Sequence, residues 1–281
     1  MLKCAPDPPA RALLGKGGYV NELQDPVADL TADGDELDRT VSGLDTQQWT
    51  LPTPSPGWTV AHQIAHLSAV FRLAGLAAAD PERFTAMLSR MSPDFQANVN
   101  AGLAEFLASP PDELLERWRG ERRFAEKALG ALPPMQLVPW LVRPLPAAVL
   151  AEAGMMELFG HGQDILDTVG VTRPRTDRIR RVVEFATRVW DFGYQARGLQ
   201  PPAEPFQFHI TAPSGKLWRF GPEDARQSVS GPAVDLCLLV TRRRHRDDLA
   251  VLADGPDAER WLDIAQAYRG PAGDGRRPGQ F

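Results

Sequence analysis

Cysteine is scarce in this chain: 281 residues contain two, Cys4 and Cys237, far apart in sequence. That excludes a disulfide framework and any cysteine-based zinc module. Cys237 lies in the apolar run 234–240, where a thiol is expected to be buried and inert. Long apolar runs are also missing. None approaches the ~20 residues that cross a bilayer, so no membrane span is expected. Residues 1–20 carry Lys3 but no adequate apolar stretch or cleavage signature, so no signal peptide is expected and a cytoplasmic location is the default. Excess positive charge is absent as well. A net charge of −5 with no basic stripe argues against a nucleic-acid binder. The one basic run, residues 242–246, is followed at once by Asp247 and Asp248 and reads as a solvated, partly paired surface. Gly15-Lys16 does not complete a phosphate loop, because Ala10 stands where the leading glycine belongs and Gly17 where Ser or Thr belongs.

What is present is an ordinary globular composition, 43% hydrophobic and 24% charged, long enough for one large domain or two modest ones. Residues 1–21 are rich in Pro and Gly and read as an N-terminal extension. Apolar spacing then predicts helices over 25–44, 58–77, 81–88, 93–107 (capped by Ser92) and 110–129. An extended connection rich in proline leads into a helix that ends near Gly170, and a long helix follows over 176–197. The pattern predicts an α-rich bundle over 22–200. After Pro201-Pro202 the composition changes. Residues 206–211 and 216–220 alternate as a hairpin, 228–230 offer a third strand, 233–240 are ambiguous, and 258–268 read as a helix. A small α+β unit over 201–281 is expected, with no role for His209.

Candidate chemistry centres on two stretches. Glu157 and His161 lie four apart on one helix and so share a face. Alone, such a pair contributes only about 0.2–0.5 kcal/mol as an exposed contact. Far upstream, His62 and His66 lie four apart on a strongly apolar helix. A lone histidine there is usually a hydrogen-bonded core residue, but two that face an interior with a Glu/His helix to meet them fit a metal site built between bundle helices. The ligand candidates are His66, Glu157 and His161, with His62 as competitor or neighbour. Two imidazoles and a carboxylate leave a position open, as in catalytic zinc or non-haem iron sites. Asp164, three residues past His161, is close enough to support it.

Gly57-Trp-Thr-Val-Ala-His-Gln-Ile-Ala-His-Leu67, followed by Glu157-x-x-x-His161-Gly-Gln-Asp164, resembles the metal-binding domain of the mycothiol-dependent maleylpyruvate isomerase family, within the DinB-like superfamily of four-helix metal proteins. Residues 231–241 and 261–266 resemble that group's smaller C-terminal domain. The resemblance implies a DinB-like four-helix bundle with extra helices, and zinc on His66, Glu157 and His161. It also implies a low-molecular-weight thiol such as mycothiol as cosubstrate, used for S-transfer, thiol exchange or thiol-assisted isomerisation of a small metabolite, in some relatives within natural-product biosynthesis. His62 or Asp164 would then move protons or orient His161. Trp140 and Arg143 are expected at a pocket rim, Arg143 as a contact for an anionic or sugar-bearing substrate. Gly154-Met155-Met156 stands where many relatives carry a basic residue, which points to a substrate other than maleylpyruvate. A thiol-independent metal enzyme (cyclase, hydrolase or non-haem iron type) and a non-catalytic module on the same bundle are the competing readings. A monomer or homodimer is expected.

Overall fold

The computed structural model describes residues 25–141 and 143–281; the expected extension at 1–21 lies outside them. Six helices come first: α1 (Pro26–Ser42), α2 (Val60–Ala79), α3 (Pro81–Leu88), α4 (Phe95–Leu107), α5 (Pro111–Gly130) and α6 (Ala147–Val169). α1, α2, α5 and α6 pack on one another as a four-helix bundle, and α3 and α4 lie against α2. Their ends follow from local chemistry. Asp25 Oδ1 accepts the Val27 N–H at 2.9 Å, and Pro26 fills the first helical position without wasting a donor. α4 is capped by Asp94, not Ser92: its carboxylate accepts from Gln96 and Ala97, and the Ser92 hydroxyl is turned to the Asp94 N–H. α6 ends at Gly170, whose φ of 66° is a left-handed conformation that glycine adopts without strain.

Tight contact between α2 and α5 needs small residues. A Cβ on Gly75 would lie 2.4 Å from the Phe124 ring and 3.2 Å from the Ala125 Cα. Ala65, Ala74 and Ala77 of α2 are buried as well. Trp118, Phe71, Phe106 and Phe159 fill the bundle core, and burial of side chains of this size contributes roughly 1.5–3 kcal/mol each.

The helix expected over 176–197 is broken into a short 3-10 turn (Asp177–Ile179), α7 (Arg180–Arg188) and α8 (Phe192–Gln195). The cause is tertiary. The Trp190 carbonyl accepts the Trp261 indole N–H at 2.8 Å rather than a helical N–H. Gly193 packs against backbone so closely that a Cβ would lie 2.0 Å from the Ile264 carbonyl oxygen. Four strands follow, β3 (Gln207–Thr211), β4 (Leu217–Phe220), β5 (Ser228–Pro232) and β6 (Leu252–Asp254), after the small antiparallel pair β1 (Leu137–Val138) and β2 (Leu145–Pro146) that introduces α6. The sheet order is β4-β3-β5-β6, with β3 and β5 parallel and the outer pairs antiparallel. The ambiguous run 233–240 is helix α9 (Ala233–Val240), and α10 (Pro256–Ile264) closes the unit. α10 stops four residues short of the expected end. Ala265 turns extended, and the Ala267 N–H joins the Val240 carbonyl at 2.8 Å, which lays the C-terminal stretch beside the end of α9.

One buried acid sets a pH dependence. Glu152 on α6 is 4% exposed, with Arg188 Nε 3.3 Å from its Oε2. Burial pushes its carboxyl up to about 7, against Arg188. The folded protein therefore holds a proton between the ordinary value and about 7 that the unfolded chain releases. This contribution to stability is present at low pH and is lost as pH rises through that window. Glu152→Gln is expected to raise the melting temperature at pH 8 by several degrees and to change it little near pH 4.5. Equal shifts at both pH values would show that Glu152 does not titrate in the fold.

Candidate metal centre

Two helices bring the ligand candidates together. His66 is in the second turn of α2, and Glu157 and His161 are one turn apart in the second half of α6, which packs against α2. One donor atom from each of His66, Glu157 and His161 lies within 4.8 Å of the others. Glu157 Oε2 is 3.5 Å from His66 Nε2 and 3.2 Å from His161 Nε2. With metal–ligand bonds of about 2.0–2.1 Å, donor atoms of a tetrahedral site lie about 3.4 Å apart. The two distances bracket that edge. The three side chains are 19%, 21% and 14% exposed, so one side of the cluster faces solvent.

The charge state suits a cation. Burial alone would raise the Glu157 carboxyl, but its hydrogen bonds to His161 and His66 and their charges hold it well below the usual carboxylate range. Burial, and then the charge of His66, pushes His161 down to about 4 against the pull of Glu157. An ionised carboxylate and a neutral imidazole are the forms that bind metal.

A wall and a second ring surround the cluster. The Trp58 ring lies 5.3 Å from His66 and 5.8 Å from His161, stacked on the latter. His161 Nδ1 is 2.6 Å from Gln63 Oε1. Gln63 Nε2 donates to Thr53 Oγ1 at 2.8 Å and to Asp164 Oδ2 at 3.3 Å. Asp164, fully buried, also accepts from the Ser55 hydroxyl (2.7 Å) and Arg276 (2.8 Å), and is ion-paired with Arg243, whose Nε lies 3.1 Å from Oδ2.

The remaining sequence candidates fall elsewhere. His62, half-buried, is the capping partner of α2: the Thr59 N–H donates to its Nδ1 at 3.2 Å, and the Thr59 hydroxyl lies at 2.8 Å. Burial pushes its imidazole below the ordinary value, and it is outside the three-residue cluster. Asp164 engages His161 only through Gln63. Trp140 and Arg143 are outside the three-residue cluster. Trp140 stacks on Phe84 of α3 at 5.9 Å and 2°, and α3 starts where α2 ends. Nor is the stretch 154–156 a pocket rim. Met155 and Met156 are buried in the core, and Gly154 faces Leu30 of α1. The basic run is not a solvated surface either. Arg243 is bonded to the Gly160 carbonyl and Asp164, and Arg244 pairs with Asp167 through both carboxylate oxygens.

Gln63, Trp58, Arg243 and Arg276 are thus the residues that sequence reading missed. For Gln63 the available signal was a polar side chain on the buried face of an apolar helix, three residues before His66.

Comparisons with known proteins agree with this architecture. The family model described as the mycothiol maleylpyruvate isomerase N-terminal domain matches residues 30–166, which include all three cluster residues. Two Mycobacterium tuberculosis proteins, the uncharacterized proteins MT0041 and Rv0036c, are each 43% identical over 250 residues, covering 89% of this chain and 97% of theirs. Crystal structures of the mycothiol-dependent maleylpyruvate isomerase and of its mutant align with TM-scores of 0.54 and 0.55, covering 85% of this chain and 96% of theirs. At 18% identity they establish the shared fold. No described helix is long and apolar enough to cross a membrane. Residues 30–166 thus carry the mycothiol maleylpyruvate isomerase N-terminal domain, and the chain as a whole belongs with the two mycobacterial proteins, its relatives along nearly its whole length.

Proposed function

We propose that this chain is a divalent-metal enzyme that joins a low-molecular-weight thiol of the mycothiol kind to a small-molecule substrate. The metal, zinc by preference for this donor set, would be held by His66, Glu157 and His161. The observation that carries the reading is the convergence of three donor atoms within 4.8 Å, two of the edges at tetrahedral spacing and one side open to solvent. A cation bound there lowers the pKa of a thiol and makes its nucleophilic form available at neutral pH. The protein's own contribution is positional. Glu157 supplies the single negative charge of the cluster, the two imidazoles fix its shape, and Trp58 shields one flank from water. Residues 22–200 act as the metal-binding bundle and 201–281 as a smaller unit whose Arg243 and Arg276 support it from behind.

The thiol is supported by the family's description and by the isomerase fold. Addition of the thiol to an activated double bond, rotation and expulsion would isomerise a substrate; displacement of a leaving group would transfer the sulfur. The test is cobalt-substituted protein titrated with mycothiol. A change in the visible d–d bands together with a sulfur-to-cobalt charge-transfer band is expected. Stoichiometric cobalt binding with no spectral response to mycothiol would leave a thiol-independent hydrolase, cyclase or iron-type enzyme. Absence of cobalt binding would remove the metal reading altogether.

A further inference from the structure

We propose that Gln63 is the positioning residue of this centre: its amide, locked from behind by Asp164, keeps a proton on His161 Nδ1 and so reserves Nε2 for a cation. The metal half of this inference rests on the function proposed above; the proton's position rests on the hydrogen-bond network alone.

The orientation of the amide follows from its neighbours. Thr53 has one hydroxyl proton, and it goes to the Trp58 carbonyl at 2.9 Å. Toward Gln63, Thr53 Oγ1 can therefore only accept. The Asp164 carboxylate is an acceptor, its other neighbours being the Ser55 hydroxyl and two guanidinium cations. Both neighbours call for the NH2 side of Gln63. A flipped amide would set oxygen against oxygen at 2.8 and 3.3 Å. Oε1 is thus turned to His161, and at 2.6 Å the ring nitrogen facing it must be the donor.

The choice has a competitor. Glu157 Oε2 lies 3.2 Å from His161 Nε2 and would itself accept a proton placed there. A neutral His161 protonated on Nε2 would bond Glu157 and present no lone pair to a metal. Gln63 decides between the two nitrogens, as a hydrogen-bond partner on the far side of a metal-binding histidine commonly does.

The lock is assembled from segments distant in sequence. Arg243 follows α9 in a left-handed capping turn. Arg242 sits at φ 57°, with the Arg243 N–H on the Leu238 carbonyl at 2.8 Å and the Arg242 N–H on the Leu239 carbonyl at 2.9 Å. A non-glycine residue in that conformation is strained and persists where surrounding contacts fix it. Here it aims Arg243 at the Gly160 carbonyl and at Asp164. Arg276 arrives from the C-terminal stretch, its side chain 9% exposed.

The test uses full-length protein labelled with 15N-histidine, zinc competition against a chromophoric chelator, and thermal melts to verify folding. In the parent, two-bond 1H–15N spectra should show His161 Nδ1 protonated both without and with zinc. In Gln63→Leu the proton should move to Nε2 in the zinc-free protein, and the zinc dissociation constant should rise roughly 10- to 100-fold. Arg276→Ala should raise it by a smaller factor, because Arg243 and Ser55 still hold Asp164. An unprotonated Nδ1 in the parent would overturn the proposal, and that measurement requires no variant. So would unchanged zinc affinity and an unchanged proton position in Gln63→Leu. Failure of the parent to bind zinc, with Nδ1 protonated, would sink the metal reading and uphold the role of Gln63 in fixing the ring.

Discussion

Glu157→Ala is expected to bind a divalent cation at least 100-fold more weakly than the parent and to lose turnover with it. Structural zinc sites with four protein ligands carry apparent binding energies of about 10–16 kcal/mol, so one ligand of such a set is worth roughly 3 kcal/mol, or about two orders of magnitude. Glu157 should sit at or above that figure, since it carries the only negative charge among the three donors. His66→Ala should fall in the same range. Neither change is expected to unfold the protein, because the side chains are 21% and 19% exposed and stand outside the fully buried core. Metal content measured on protein purified without chelator, beside a thermal melt, separates the two effects. Full metal stoichiometry in both folded variants would end the assignment of these residues as ligands.

The convergence of His66, Glu157 and His161 was legible because it depends on local periodicity. Glu157 and His161 share a helical face by their four-residue spacing, and His66 stands on an apolar helix that had to pack inward. The bundle was legible for the same reason. What surrounds the cluster was not, because it is set by contacts across long stretches of chain. Asp164 is three residues from His161, yet Gln63 of α2 carries its influence to the ring, and Arg276 reaches it from 112 positions away. Charge alone made residues 242–246 look solvated. The left-handed turn at Arg242 sends Arg243 inward instead. The break in the helix over 176–197 was hidden too. No proline marks it, and its cause is an indole N–H and a carbonyl contributed by residues 261 and 264. β6, three residues long and mostly exposed, offers no alternation to read.

Asp164→Ala is expected to be the most destabilising single change near the site, by about 3–5 kcal/mol, the usual result of removing one partner from a buried ion pair. Asp164 is fully buried, accepts from Ser55, Gln63 and Arg276, and is ion-paired with Arg243 as well. Burial pushes the Arg276 guanidinium below its ordinary range and Asp164 pulls it back, so the carboxylate is what makes that buried charge tolerable. Removing it strands Arg243 and Arg276 together behind the His66–Glu157–His161 cluster, leaves the Ser55 hydroxyl without its acceptor and takes away one of the two that Gln63 has. Against a total stability of about 5–15 kcal/mol, such a loss should be plain in urea unfolding of the metal-free protein. Arg276→Met should cost much less, since Asp164 keeps Arg243 and Ser55. The double variant should recover part of the loss, because one of the two stranded cations has gone. A penalty below about 1 kcal/mol for Asp164→Ala, with no recovery in the double variant, would mean that water replaces the carboxylate, and the lock behind Gln63 would then have no foundation.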